Sequence, residues 1–149
     1  MAQIPIALQL YSIREDCERD LPGTLEAVSE MGYDGVEFAG YYGYSAQELR
    51  ELLDAYGLAV AGAHIPLDTL LGAELDETIA FNRALGNRFL IVPGLAPERR
   101  NSHAAWLETA QVFDGIAARL SEHDMVTGYH NHYVEFEPMG GELPWDTFF

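Results

Sequence analysis

Short apolar runs alternate along this chain with longer stretches in which apolar residues recur every three or four positions. Residues 4–11 form the first run and read as a strand, with Pro5 at its entry, where a missing N–H is tolerated. The polar stretch Ser12-Ile13-Arg14-Glu15-Asp16 bounds it. Leu21, Leu25, Val28 and Met31 then recur at helical spacing, and Gly32 stops that helix. Residues 34–39 are a second strand, ended by Gly40. Ser45 with Glu48 three residues later makes a capping box. The helix it opens has Leu49, Leu52, Leu53 and Tyr56 inward and closes at Gly57. Residues 58–64 are a third strand, and 74–85 a helix with Leu75, Ile79 and Ala80 inward and Gly86 as its stop. Residues 88–93 are a fourth strand. A longer helix over 103–122 carries Trp106, Val112, Phe113, Ile116 and Leu120. A fifth strand begins at Val126, and residues 143–149 start a fifth helix.

Strand followed by helix, repeated, predicts βα units and a parallel sheet, hence the α/β class. Strands of a parallel sheet are covered on two faces, which suits their nearly continuous apolar runs. The size suits a single domain over residues 1–149. Two architectures compete at this level, an open doubly wound sheet and a (β/α)8 barrel. No Gly-x-Gly-x-x-Gly follows the first strand, so a dinucleotide fold loses support.

Charge narrows the partners. There are 24 acidic against 8 basic residues, a formal net charge of -16, and every basic residue is Arg. Such a surface repels phosphate backbones and anionic membranes, so no nucleic-acid and no membrane partner is expected. A local Arg could still hold one phosphate of a small substrate. Without Lys there is no phosphate-cradling Gly-x-x-x-x-Gly-Lys. Cys17 is the only cysteine; its neighbours Asp16 and Glu18 disfavour a thiolate, and a structural role is expected. The N-terminal residues 1–5 show no charged leader region, and no stretch approaches the ~20 apolar residues of a membrane span. A cytoplasmic location is the expectation.

Ionisable residues collect where strands end. Gln9 and Tyr11 end the first, Glu37 the second, His64 the third, and His130 and His132 the fifth, in Tyr129-His130-Asn131-His132-Tyr133-Val134-Glu135-Phe136-Glu137. Residues two apart on a strand point the same way, so His130 and His132 are expected to face one side together. Two imidazoles with a nearby carboxylate suit half of a divalent metal site. In a parallel barrel the active site forms at this face, because the βα loops surround it. His103 and His123 flank the long helix and read as structural.

Leu8-Gln9-Leu10-Tyr11-Ser12, Gly32-Tyr33-Asp34-Gly35-Val36-Glu37-Phe38-Ala39-Gly40, Gly62-Ala63-His64 and Tyr129-His130-Asn131-His132 through Glu135-Phe136 appear in order. Together they resemble the sugar phosphate isomerase/epimerase family, the xylose isomerase-like TIM barrels. The resemblance implies a (β/α)8 barrel of which this chain covers about the first five βα units. It also implies a divalent metal (Mn, Mg, Co or Zn) at the C-terminal face of the strands. Members isomerise, epimerise or dehydrate sugars and cyclitols, so the expected partner is a small-molecule sugar or sugar phosphate. A DNA-repair endonuclease shares the barrel, but the net charge of -16 counts against it.

On this reading the enzyme is a metal-dependent sugar isomerase or epimerase that abstracts a proton next to a carbonyl. His130 and His132 are the expected metal ligands, and Glu135 and His64 the catalytic pair. Tyr11, Glu37, His64 and His132 are the expected substrate contacts. The resemblance usually places a metal-binding Glu on strand five, and here that place falls at His130, so His130, His132 and Glu135 compete for it. Such barrels need about 250 residues. Five strands alone leave open sheet edges, so a homodimer or a missing C-terminal half is expected to complete the barrel.

Overall fold

The computed structural model describes residues 4–149; the reading of the first three residues lies outside them. Five strands, β1 (Ala7–Gln9), β2 (Gly35–Phe38), β3 (Ala59–His64), β4 (Phe89–Val92) and β5 (Val126–Tyr129), form one sheet in sequence order. Every neighbouring pair is parallel. The helices are α1 (Arg14–Arg19), α2 (Leu21–Glu30), α3 (Ala46–Tyr56), α4 (Glu74–Leu85), α5 (His103–Ser121) and α6 (Pro144–Phe148). This is the α/β arrangement of the first five βα units of a TIM barrel.

Local chemistry starts and stops the helices. Asp20 accepts the Gly23 N–H at the head of α2, where Pro22 needs no partner. The capping box on α3 is formed: Ser45 Oγ accepts the Glu48 N–H, and the Glu48 carboxylate accepts the Ser45 N–H. Gly57 ends α3 at φ 68°, a left-handed conformation that a side chain would strain. Ser102 caps α5 through the Ala105 N–H.

The sheet has two unlike faces. Val36, Phe38, Ala63, Leu90 and Val92 are buried against Leu25, Leu49, Leu53, Ile79, Leu85, Trp106, Ile116 and Leu120. Removing these side chains from water, at about 1.5–3 kcal/mol for each large one, is what holds helices to sheet. The opposite face carries Gln9, Glu37, Gly62, His64, Phe89, Ile91 and Val126. Phe89 is 49% exposed there and Val126 50%. Edge strands β1 and β5 each have a single neighbour.

Three expected boundaries move. The first strand shortens to Ala7–Gln9 because Leu10–Ile13 winds into a 3-10 turn, capped by the Gln9 side chain on the Tyr11 N–H. The polar boundary that follows is itself helical: α1 forms there, anchored by buried Cys17. Burial pushes the Cys17 thiol above its ordinary value, which suits a structural role. The fifth strand ends at Tyr129, before both histidines. Among the described residues, no helix is long and apolar enough to cross a membrane.

Candidate functional site

Parallel register lines up the C-terminal ends of the strands. Gln9 pairs with Glu37, Glu37 with Gly62 after a one-residue shift, and His64 with Ile91. Side chains two apart share a face, so Gln9, Glu37 and His64 converge on the uncovered side. Gly62 faces the same side: a Cβ there would meet Glu37 Oε1 in ordinary contact, at 3.4 Å.

The three side chains are wired together. Gln9 Oε1 accepts the Tyr11 N–H at 2.9 Å, which turns the amide nitrogen toward the site. Gln9 Nε2 donates to Glu37 Oε2 at 2.6 Å and lies 3.2 Å from His64 Nε2. His64 Nε2 is 3.8 Å from Glu37 Oε1. Burial holds the His64 imidazole below its ordinary pKa; Glu37 pulls the other way, and His130 and His132 add to the lowering.

The β5 side of the rim is built differently. His130 continues the ladder through its N–H to Val92 O at 2.9 Å, but its side chain is exposed. The His130 ring stands edge-on to His64 with centroids 5.1 Å apart, and 4.9 Å from the exposed His132 ring. Beneath them Glu135 is fully buried, at 0% exposure. It accepts the Tyr129 hydroxyl on Oε1 and the His132 N–H on Oε2 at 2.7 Å. Burial, and then Glu135 as acceptor, keep the Tyr129 phenol protonated far above its ordinary range. The Tyr129 ring packs against Trp106, Phe113 and Phe148. A cavity of about 240 Å³ opens beside this loop, lined by Arg100, Tyr129, His132 and Tyr133 among others. A larger one, about 470 Å³, lies between α4 and His123, just past the end of α5, and includes none of the rim residues.

The family model of the xylose isomerase-like TIM barrel matches residues 25–147. The chain belongs to that family. Several solved structures share the fold. A sugar phosphate isomerase/epimerase from Parabacteroides distasonis ATCC 8503 superposes with a TM-score of 0.85 at 18% identity, over 99% of this chain and 61% of that one. An AP endonuclease, family 2, from Brucella melitensis gives 0.65 at 17% identity, over 85% of this chain and 55% of that one. A xylose isomerase domain containing protein from Salmonella typhimurium LT2 gives 0.57 at 15% identity, over 83% and 48%. This chain therefore spans about 61% of the length of the first of these. No curated protein matches its sequence.

Within this xylose isomerase-like barrel the expected site residues divide. Glu37, His64, His130 and His132 meet on one rim. The two late histidines do so from a loop, since alternation along a strand no longer relates them. Tyr11 joins through its backbone N–H; its ring is 58% exposed and lies under the Arg14 guanidinium at 4.5 Å. Glu135 has no open surface and both oxygens engaged, the geometry of a group that holds a loop. Gln9, noted at the end of a strand but given no role, turns out to connect Tyr11, Glu37 and His64. Its signal was positional: a polar residue level with Glu37 on the neighbouring strand. His103 ties the start of α5 to the chain's end, through Thr147 at 3.1 Å and Glu142 at 3.3 Å.

Among the described residues, no three His, Cys, Asp or Glu side chains come together as they must to hold a metal ion. His130 and His132 supply two imidazoles, while the acid nearest in sequence, Glu135, is turned away into the protein. The residues described do not fit a metal centre by themselves.

Proposed function

We propose that this rim is the substrate-binding and proton-transfer part of a sugar isomerase or epimerase. The observation that carries the proposal is the Gln9–Glu37–His64 network, set against His130 and His132 at the C-terminal ends of parallel strands. His64 is the proton acceptor. Burial disfavours its imidazolium and favours the neutral ring, one nitrogen of which can accept a proton. The ring takes the proton from the carbon next to a sugar carbonyl, and the C–H electron pair moves into the enediolate. Return of that proton to the neighbouring carbon, as the hydroxyl proton passes to the former carbonyl oxygen, isomerises the sugar; epimerisation takes a proton from a second donor on the opposite face, such as water. Glu37 stabilises the transient imidazolium from 3.8 Å.

His130 and His132 contact the sugar hydroxyls. Tyr11 is proposed at the edge of the same subsite. Glu135, expected from sequence as a catalytic carboxylate, is assigned here to positioning the His132 loop. A divalent metal at His130 and His132 would need further donors, and the proton transfer rests on the chain's own residues. The substrate is a small sugar or sugar phosphate handled in the cytoplasm. A second copy, or a C-terminal half, would cover β1 and β5; light scattering of the intact protein separates the two.

The test is carbon-bound hydrogen exchange. Free and phosphorylated ketoses and aldoses are incubated with the protein in heavy water, and deuterium next to the carbonyl is followed by proton NMR. Exchange is expected, with His64→Gln slowing it by about 10²–10⁴-fold. Exchange that is absent across the panel, or indifferent to His64→Gln, refutes the proposal and leaves an inactive sugar-binding half-barrel.

A further inference from the structure

We propose that Gln9 is a positioning residue that locks His64 in its Nδ1–H tautomer, so that Nε2 is kept as an unprotonated acceptor facing Glu37. The Gln9 amide is oriented by the backbone, because its Oε1 accepts the Tyr11 N–H at 2.9 Å. The opposite end is therefore the NH2, which donates only. One of its hydrogens goes to Glu37 Oε2 at 2.6 Å. The other faces His64 Nε2 at 3.2 Å. A protonated Nε2 would set two donors against each other, while Glu37 Oε1, 3.8 Å away, is too far to accept from it. Neutral imidazole carries one hydrogen, which must then sit on Nδ1.

The lock matters because neutral histidine has two tautomers, and only one presents a lone pair to this face. The contact at 3.2 Å is longer than the one to Glu37, so it yields first when a ligand arrives. An incoming group meets two acceptors, Glu37 Oε1 and His64 Nε2. It must bring hydrogen, as a hydroxyl or an acidic C–H does; an oxyanion is repelled by Glu37. The catalytic meaning of the lock rests on His64 as proton acceptor, but the tautomer itself is read without any substrate.

The experiment is nitrogen NMR of the full chain, labelled at histidine, at mildly alkaline pH. His64 Nε2 is expected to resonate as the unprotonated, pyridine-type nitrogen, with the proton on Nδ1. Gln9→Ala removes the donor and should move the ring toward Nε2–H. Gln9→Glu keeps the shape and the Tyr11 contact; at 2.6 Å from Glu37 the two carboxyl groups share one proton, and the negative charge that remains should place a proton on Nε2. Should Gln9→Ala not fold, Gln9→Glu still reports. A native chain already protonated at Nε2 overturns the inference, as does a Gln9→Glu chain with an unchanged His64 spectrum. Loss of sugar exchange in His64→Gln with no tautomer lock would separate this inference from the proposed function.

Discussion

The two ends of the rim solve the same problem by opposite means. At β1, β2 and β3 the functional groups sit on the last or next-to-last strand residue, and side chains bond directly to one another. Gln9, Glu37 and His64 need no loop, because parallel register already sets them side by side. After β5 the strand has stopped, and His130 and His132 ride on irregular backbone. Their order comes from below, where Glu135 is buried and bonded to the Tyr129 hydroxyl and the His132 N–H. A group presented by a sheet is held by the ladder; a group presented by a loop needs a buried anchor. Such an anchor is costly to bury, and removing either partner leaves the other unsatisfied.

Breaking the anchor should give the largest effect on stability. Glu135→Ala leaves a buried hydroxyl and a backbone N–H without an acceptor, and should cost on the order of 3 kcal/mol. Urea unfolding reads it, and faster amide exchange at His132 should accompany the loss. A cost near zero would mean that the loop is held elsewhere. Tyr129→Phe removes one of the two donors and keeps the ring among Trp106, Phe113 and Phe148; about 1 kcal/mol is expected in the same assay. Equal losses from the two variants would show that the hydroxyl contact dominates the anchor.

A gentler effect sharpens the contrast at the β3 end. The folded His64 pKa lies below its ordinary 6.5 because burial disfavours the imidazolium. The unfolded chain therefore binds that proton more readily than the folded one. Its contribution to stability is present above about 6.5 and declines as pH falls from there toward the lowered folded value. Unfolding midpoints measured across this window should slope down on acidification, and His64→Gln should flatten the slope. An unaltered slope in His64→Gln would assign it to other groups.

Much of the frame was legible as pattern. Each apolar run between 34 and 93 became a strand within a residue or two, and the Ser45–Glu48 box opened α3 as expected. Where pattern failed, a local polar bond won. Gln9 capped Tyr11 and ended β1 early, and α1 formed on a nearly all-polar segment with Cys17 as its single buried residue. The site was legible as a set of residue types at strand ends. Its internal wiring was not, because charged residues are normally exposed and nothing in the order of letters marks Glu135 as the exception.

Sequence by itself determined the alternation of apolar runs and amphipathic stretches. That period is a property of backbone geometry, and it commits the chain to βα units before any long-range contact forms. Only the tertiary structure decided which carboxylate is open and which is buried, which amide turns toward which imidazole, and that both late histidines leave the strand. Those outcomes depend on register between strands some 25 or more residues apart and on what packs beneath a loop. Hydrogen bonds act over about 3 Å, so they become definite only once the fold has set those distances.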